Sequence, residues 1–432
     1  MTRRIAVIGA GAAGLSAAYR LRATCQVTLF KRERQLGGHA WTWDIKEGPD
    51  AGLPLDVAFM VSNRENYPNL YQLFAEIGGI DLGPSEMSFS YCCRGSGEEY
   101  AINYDHSSTG LASRETPRRS TVPPSSLLSL YPEIARFCTR AAGDVETLSF
   151  AEEELGGYLD RCGFSEDLRR RYIIPMGAAL WSAPPGKVLS FPAVLFLRFL
   201  KNHGLLNLKC GRSWQHVLGG SRVYVRAVAD ALRKSKTGVK TCCGVLSLAR
   251  KDGQVALWTT DGGVETFDAA VIATHADQAL ALLADPSSEE SALLGCFAYQ
   301  SNQAILHCDE EVMPRNRDSW ASWNYERECY GEADAVCITY HLNRLQGHCN
   351  TAYQYFLTLN RRAPINPNKV LARFRLSHPL FNTGALQAQQ ALVARGMLNQ
   401  TCFAGSYMGY GFHEDAITSG LAAAKLAAGV QS

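Results

Sequence analysis

What this 432-residue chain lacks narrows its function before any motif is read. Charge is sparse: Asp, Glu, Lys and Arg make up 19% of residues, and 43 basic against 41 acidic side chains leave a net +2. Soluble proteins usually carry ~25%, so no long-range pull on a polyanion is implied and no nucleic-acid partner is expected. The 14 cysteines include no Cys-x-x-Cys, only the adjacent pairs Cys92-Cys93 and Cys242-Cys243. That removes a zinc ribbon or dithiol redox centre and leaves buried thiols in a reducing cytoplasm. The longest apolar stretch, Val188 to Leu206, is broken by Pro192, Arg198, Lys201, Asn202 and His203, short of the ~20 apolar residues a spanning helix needs. Clusters of His and carboxylate at metal-ligand spacing are missing, as is a Gly-x-Ser-x-Gly elbow. No metal site is therefore expected.

What is present begins at once. Ile5-Ala6-Val7-Ile8 has the unbroken apolar character of a strand buried on both faces, and Gly9-Ala10-Gly11-Ala12-Ala13-Gly14 follows it. An amphipathic helix is expected over 15–21, then a second strand, Gln26-Val27-Thr28-Leu29-Phe30. In such a βαβ unit the first glycine makes the turn, the second lets backbone touch a pyrophosphate and the third lets helix and strand pack closely. The charged start and apolar run copy a signal peptide, but glycines at 9, 11 and 14 argue against one. The carboxylate that normally follows the second strand is replaced by Lys31, with Arg32 and Glu33 next. These residues leave open whether Glu33 takes the ribose or Lys31 meets a phosphate, and Lys31 with Arg32 admits NADP as an alternative.

A second glycine pair, Gly37-Gly38 before His39, resembles the second fingerprint of flavoproteins in the amine oxidase and phytoene desaturase superfamily. The C-terminal end resembles its closing motif: Thr401 to Gly405 as a strand, a loop from Tyr407 to Asp415, and a helix from Ala416 to Ala428. Between them, Trp214 to Ser221 before a helix over 223–233, a strand through Val239 to Val245, and Asp268 to Thr274 match its middle. His275 stands where that superfamily usually has proline. The segments Pro175 to Ser182, Lys201 to Leu206, Met313-Pro314-Arg315, Ser319 to Tyr325 and Gly411 to Asp415 are similar to a bacterial branch described as predicted NAD/FAD-binding, amine-oxidase-like proteins.

The resemblance implies an α/β protein in two braided parts. A Rossmann-type FAD-binding domain takes residues 1–80, 205–280 and 395–432, and a discontinuous α+β substrate domain takes 81–204 and 281–394. It implies FAD as cofactor, held by Gly9, Gly11, Ala12, Ala13, Gly14, Lys31, Arg32, Gly37, Gly38, His39, Val245, Thr274, Gly405, Gly411, Phe412, His413, Asp415 and Ala416. Tyr410 and His413 are the candidate catalytic residues, His413 because an imidazole titrates near neutrality. No lysine falls at the water-bridging position many amine oxidases use.

Branch members commonly accompany cyclopropane-fatty-acid-synthase-like methyltransferases, which implies a hydrophobic or lipid substrate and a lipid-modifying methyltransferase partner. The leading expectation is acyl-chain desaturation. Amine oxidation, redox-neutral double-bond isomerisation and a non-catalytic flavin subunit stand as alternatives. The apolar segment 188–200 is expected to line an acyl tunnel, dip into a membrane surface or form a buried core helix. Trp323 and Tyr325 are expected on one strand face. A poorly ordered insertion is expected over 107–126, and the protein in the cytoplasm, with peripheral contact at the inner membrane as one variant.

Overall fold

The computed structural model describes residues 2–103, 128–147, 153–207, 212–235, 237–327 and 337–429; the insertion expected over 107–126 lies outside the described residues. Five short parallel strands form one sheet in the order Thr401–Phe403, Ala269–Ile272, Arg4–Ile8, Gln26–Phe30, Gly238–Lys240. Arg4–Ile8 lies at its centre, with Val7 opposite both Leu29 and Val271. Ile5, Ala6 and Val7 are fully buried, as an unbroken apolar strand requires.

The crossover helix Ala12–Leu21 differs from the amphipathic expectation: all but Arg20 of its ten residues are buried. The C-terminal helix His413–Ala427 covers the side that would otherwise face water. The two helices nearly touch, because a Cβ on Gly420 would lie 2.2 Å from Ala13 O. The run 239–245 is also not one strand. Gly238–Lys240 ends the parallel sheet, Cys242 turns the chain at φ +55°, and Val245–Lys251 opens an antiparallel meander with Gln254–Thr259 and Val264–Phe267.

A seven-stranded sheet forms the other half, in the order Val370–Leu380, Ala298–His307, Phe356–Leu359, Ile338–His341, Trp323–Arg327, Ser88–Cys93, Glu98–Asn103. Only Trp323–Arg327 beside Ser88–Cys93 is parallel. Trp323 and Tyr325 do share a face and pack toward its core. In the helix Ala193–Asn202, Ala193 to Leu197, Phe199 and Leu200 are buried in this same core, so the segment 188–200 packs inward rather than toward a membrane. Among the described residues no helix is long and apolar enough to cross a membrane.

Helices Ser288–Leu294 and Thr383–Arg395 still pack on the cofactor side. The later strands of the seven-stranded sheet begin at Ala298 and end at Leu380.

Candidate cofactor and active site

The first glycine turn is shaped by close approach. Gly9 has φ +101°, and a Cβ there would lie 2.5 Å from Ala273 O; one on Gly14 would lie 1.8 Å from Gly9 O. Gly11 differs, since a Cβ there would meet only Gly38 Cα, at 4.0 Å, which leaves open space above the turn. Gly11 caps the helix Ala12–Leu21 without any side-chain hydrogen bond, so the first-turn N–H groups point out unclaimed by a cap. The second glycine pair docks on this turn: Gly37 N donates to Ala10 O at 2.8 Å, and Gly37 bridges Gly11. Two glycine loops and a helix N-terminus thus make a cradle for a diphosphate.

At the end of the second strand, Cys243 N donates to Lys31 O at 2.9 Å, and a Cβ on Gly244 would lie 3.1 Å from Arg32 Cγ. Lys31 and Arg32 therefore lie beside Cys243 and Gly244, which lead into Val245. Lys31 and Arg32 both pair with Glu33. Burial works against the Glu33 carboxylate, but hydrogen bonds from Lys31 and Arg32 prevail and hold its pKa at about 2. The Glu33 carboxylate is thus already engaged by its own neighbours.

The closing loop is fastened from several elements. Gln389 donates to the carbonyls of Tyr407 and Gly409, both at 2.6 Å, and Trp181 Nε1 donates to Tyr410 O at 2.8 Å. Gly405 is held to Ser419 Oγ at 3.0 Å, and Thr274 O lies 3.3 Å from the position of a Cβ on Gly405. The Tyr410 hydroxyl reaches toward Asn202, and the Phe412 ring stacks on Phe199 at 4.6 Å, inside the substrate-side core. Asp415 Oδ2 accepts from Phe412 N at 2.8 Å and caps its own helix; burial raises its pKa to about 7. Glu414 accepts from Asn69 N and Leu70 N and caps the helix Pro68–Ile77. His413 stacks on Phe59 at 3.8 Å with Nε2 2.7 Å from Tyr224 Oη, and burial, then the neighbouring His39, depresses its pKa to about 3. The geometry makes His413 a fixed, neutral part of the wall rather than a mobile proton carrier. Ala416 lies buried just inside this helix.

Between the two cores three imidazoles stand in a row. His39 is 6.0 Å from His275 and 5.7 Å from His378, centroid to centroid, and His275 stacks on Tyr299 at 4.5 Å. Burial depresses all three, His39 to about 4 and His378 to about 3, so they are neutral at pH 7. His39, Thr274, His275, His378 and the loop 408–415 keep partial exposure where the two cores meet, and are the residues that would wall a cofactor and substrate space there. Trp41 and Trp43 extend this wall, edge-on to Phe374 at 5.0 and 5.5 Å.

A family model for flavin containing amine oxidoreductases matches residues 12–346, more than three quarters of the chain. The chain belongs to that family. Among solved structures, putrescine oxidase is similar at TM-score 0.71 and 14% identity over 100% of both chains. Cyclohexylamine oxidase from Brevibacterium oxydans is similar at 0.68 and 14% over 99% of both. The CLA-producing fatty acid isomerase from P. acnes is similar at 0.66 and 15% over 97% of both. No curated protein matches by sequence.

As a flavin amine oxidoreductase family member the chain is an FAD-dependent oxidoreductase. Its own residues fit that cofactor. The uncapped helix N-terminus under Gly11 suits the diphosphate, and His39, next to the second glycine pair, has a buried Nε2 without a partner. Among the residues named for the cofactor, Gly37 and Gly38 meet Gly11, Gly405 lies beside Thr274, and Lys31 meets Cys243, two residues before Val245. Sequence reasoning missed His378 and noted His275 only as a departure. The available signal was a histidine on the otherwise apolar inward face of a strand whose other face carries Arg373 and Arg375, a face it shares with Phe374 and Leu376.

Proposed function

We propose that this FAD-dependent oxidoreductase works on an apolar chain, desaturating an acyl group of a fatty acid or phospholipid. One observation carries the reading: among the described residues, the acidic groups of the closing loop are already engaged, so neither is left to face an ammonium group. His39, His275, His378 and His413 are neutral, Glu414 is committed to a helix N-terminus, and Asp415 is turned back onto Phe412 N. Around the closing loop, Phe59, Trp181, Phe199 and Phe412 supply aromatic surface. Apolar surface is what an acyl chain needs, since each buried CH₂ gains ~0.8 kcal/mol.

Bound FAD supplies the hydride acceptor. Desaturation breaks two C–H bonds on adjacent carbons: one hydrogen leaves with both electrons, and the other leaves as a proton to water or a basic side chain. An external acceptor, dioxygen or a quinone, takes the two electrons back from the cofactor. The chain's residues align the two carbons and keep water out, which the packed aromatics around Phe412 and Trp181 favour. A lipid-modifying methyltransferase acting on the same chain fits this reading as a partner.

The test is anaerobic mixing of FAD-loaded protein with fatty acids, phospholipids and amines. Bleaching of the flavin by acyl substrates, with a new double bond in the product, is the expected outcome. Bleaching by amines alone would make the protein an amine oxidase, and a shifted double bond without electron uptake would make it an isomerase. Both results count against desaturation.

A further inference from the structure

We propose that His378 is a tautomer-locked hydrogen-bond donor that holds the flavin ring from the substrate-sheet side. The lock can be followed from one unambiguous donor. The backbone N–H of Gln303 has only a hydrogen to give, and gives it to Asn360 Oδ1 at 2.8 Å. Asn360 must then turn its amide nitrogen to Asn302, whose Oδ1 accepts at 2.6 Å. With that oxygen committed, Asn302 presents Nδ2 to His378 and donates to its Nδ1 at 2.9 Å. A neutral imidazole whose Nδ1 accepts carries its proton on Nε2.

The lock is rigid at its root. Asn360 is left-handed at φ +51°, a conformation asparagine tolerates, and its own N–H donates to Gln303 O at 2.9 Å. Asn302 is fully buried on the inward face of a sheet, where an amide is costly unless every hydrogen bond is arranged. Ring orientation and proton position of His378 are thus both set from the far side of the sheet, as second-layer partners set a metal-binding histidine.

The position of His378 selects what it meets. Its ring is 5.7 Å from His39, which directly follows the second glycine pair. One and three residues further on, Pro379 and Phe381 pack on Gly411 of the closing loop, at 3.4 and 3.1 Å from a Cβ placed there. His378 therefore stands between the two loops that hold the cofactor. Its Nε2 meets no partner among the described residues. A fixed donor beside the ring stabilises the negative charge that a reduced flavin carries, so it favours reduction. The inference rests on the FAD assignment and adds to it the residue that sets how readily the bound ring is reduced.

The test measures the midpoint potential of FAD-loaded protein against a reference dye. His378→Met keeps bulk and removes the donor, while His378→Gln restores an N–H. The Met variant is expected to shift the reduction equilibrium at least tenfold toward oxidised flavin, about 30 mV for a two-electron couple, with Gln recovering most of the shift. Equal potentials in all three overturn the proposal. Nitrogen-15 NMR of histidine-labelled, flavin-free protein gives a second reading: the His378 proton is expected on Nε2, and finding it on Nδ1 overturns the lock. Should the Met variant not fold, Asn302→Asp replaces the donating amide by an accepting carboxylate and is expected to move that proton to Nδ1; an unmoved proton overturns the lock as well. Wild-type protein that takes up no FAD would refute the cofactor assignment together with this proposal, whereas unchanged potentials in loaded protein refute this proposal alone.

Discussion

Gly14 shows how little room a single methyl group has in the cradle. A Cβ there would lie 1.8 Å from Gly9 O and 3.3 Å from Ala273 Cβ, so Gly14→Ala must push helix and turn apart. Overpacking of this kind costs ~1–3 kcal/mol. The expected outcome is a severalfold loss of bound flavin per mole of protein, read from visible absorbance, and retention of wild-type flavin content would contradict the packing role assigned to this glycine. At this scale the sequence was legible where spacing carries the signal. Glycines at 9, 11, 14, 37 and 38 declare themselves because a tight turn, backbone contact with a phosphate and close packing of helix on strand each tolerate nothing larger. The histidine row was not legible, because residues 39, 275 and 378 belong to three distant segments that meet only after both sheets have formed. Glu33 is an intermediate case: its type and nearness to Lys31 were visible, but the triad it makes with Lys31 and Arg32 depends on side-chain reach.

Among elements, the crossing of Ala12–Leu21 with His413–Ala427 fixes where two helix N-termini point. Gly420 allows the crossing, since a Cβ would lie 2.2 Å from Ala13 O and 2.4 Å from Ser16 Oγ, and Ser16 Oγ also donates to Ile417 O. Gly420→Val is expected to lower Tm by several degrees and to weaken FAD binding at least tenfold, because the first helix would tilt away from the diphosphate. Thermal melts with and without added FAD check this; an unchanged gain in Tm on adding FAD would show that the crossing does not govern the cradle. Element types were largely readable from apolar runs and glycine breaks. The exceptions have physical causes: the first helix is buried all round by a partner four hundred residues away, and Cys242 breaks what looked like one strand.

For the molecule as a whole, buried neutral histidines predict acid lability. Burial depresses His39, His203, His216 and His307 to about 4, against an ordinary value near 6.5. A folded-state pKa below the unfolded one contributes stability that is complete above ~6.5 and is lost as pH falls toward 4, up to roughly 1.4 kcal/mol for each tenfold difference in proton affinity between the two states. Tm is therefore expected to fall steadily from pH 7 to pH 4.5. His307, fully buried with Nε2 2.7 Å from Thr358 Oγ1 and remote from the cofactor loops, isolates one contribution. Replacing it by Gln should flatten the decline, and an equally steep decline in His307→Gln would count against the assignment.

The parallel sheet takes its strands from residues 4–8, 26–30, 238–240, 269–272 and 401–403. During synthesis the first strand can pair at once with 26–30, whereas its other neighbour, 269–272, comes later and the edge strand 401–403 comes last. At ~5–20 residues per second the delay between the first and last strands is roughly 20–80 seconds, during which the first helix lacks the C-terminal helix that packs against it. The loop and helix that complete the cofactor cradle are therefore its last parts to be made, and a chain cut short before residue 401 is expected to bind no flavin.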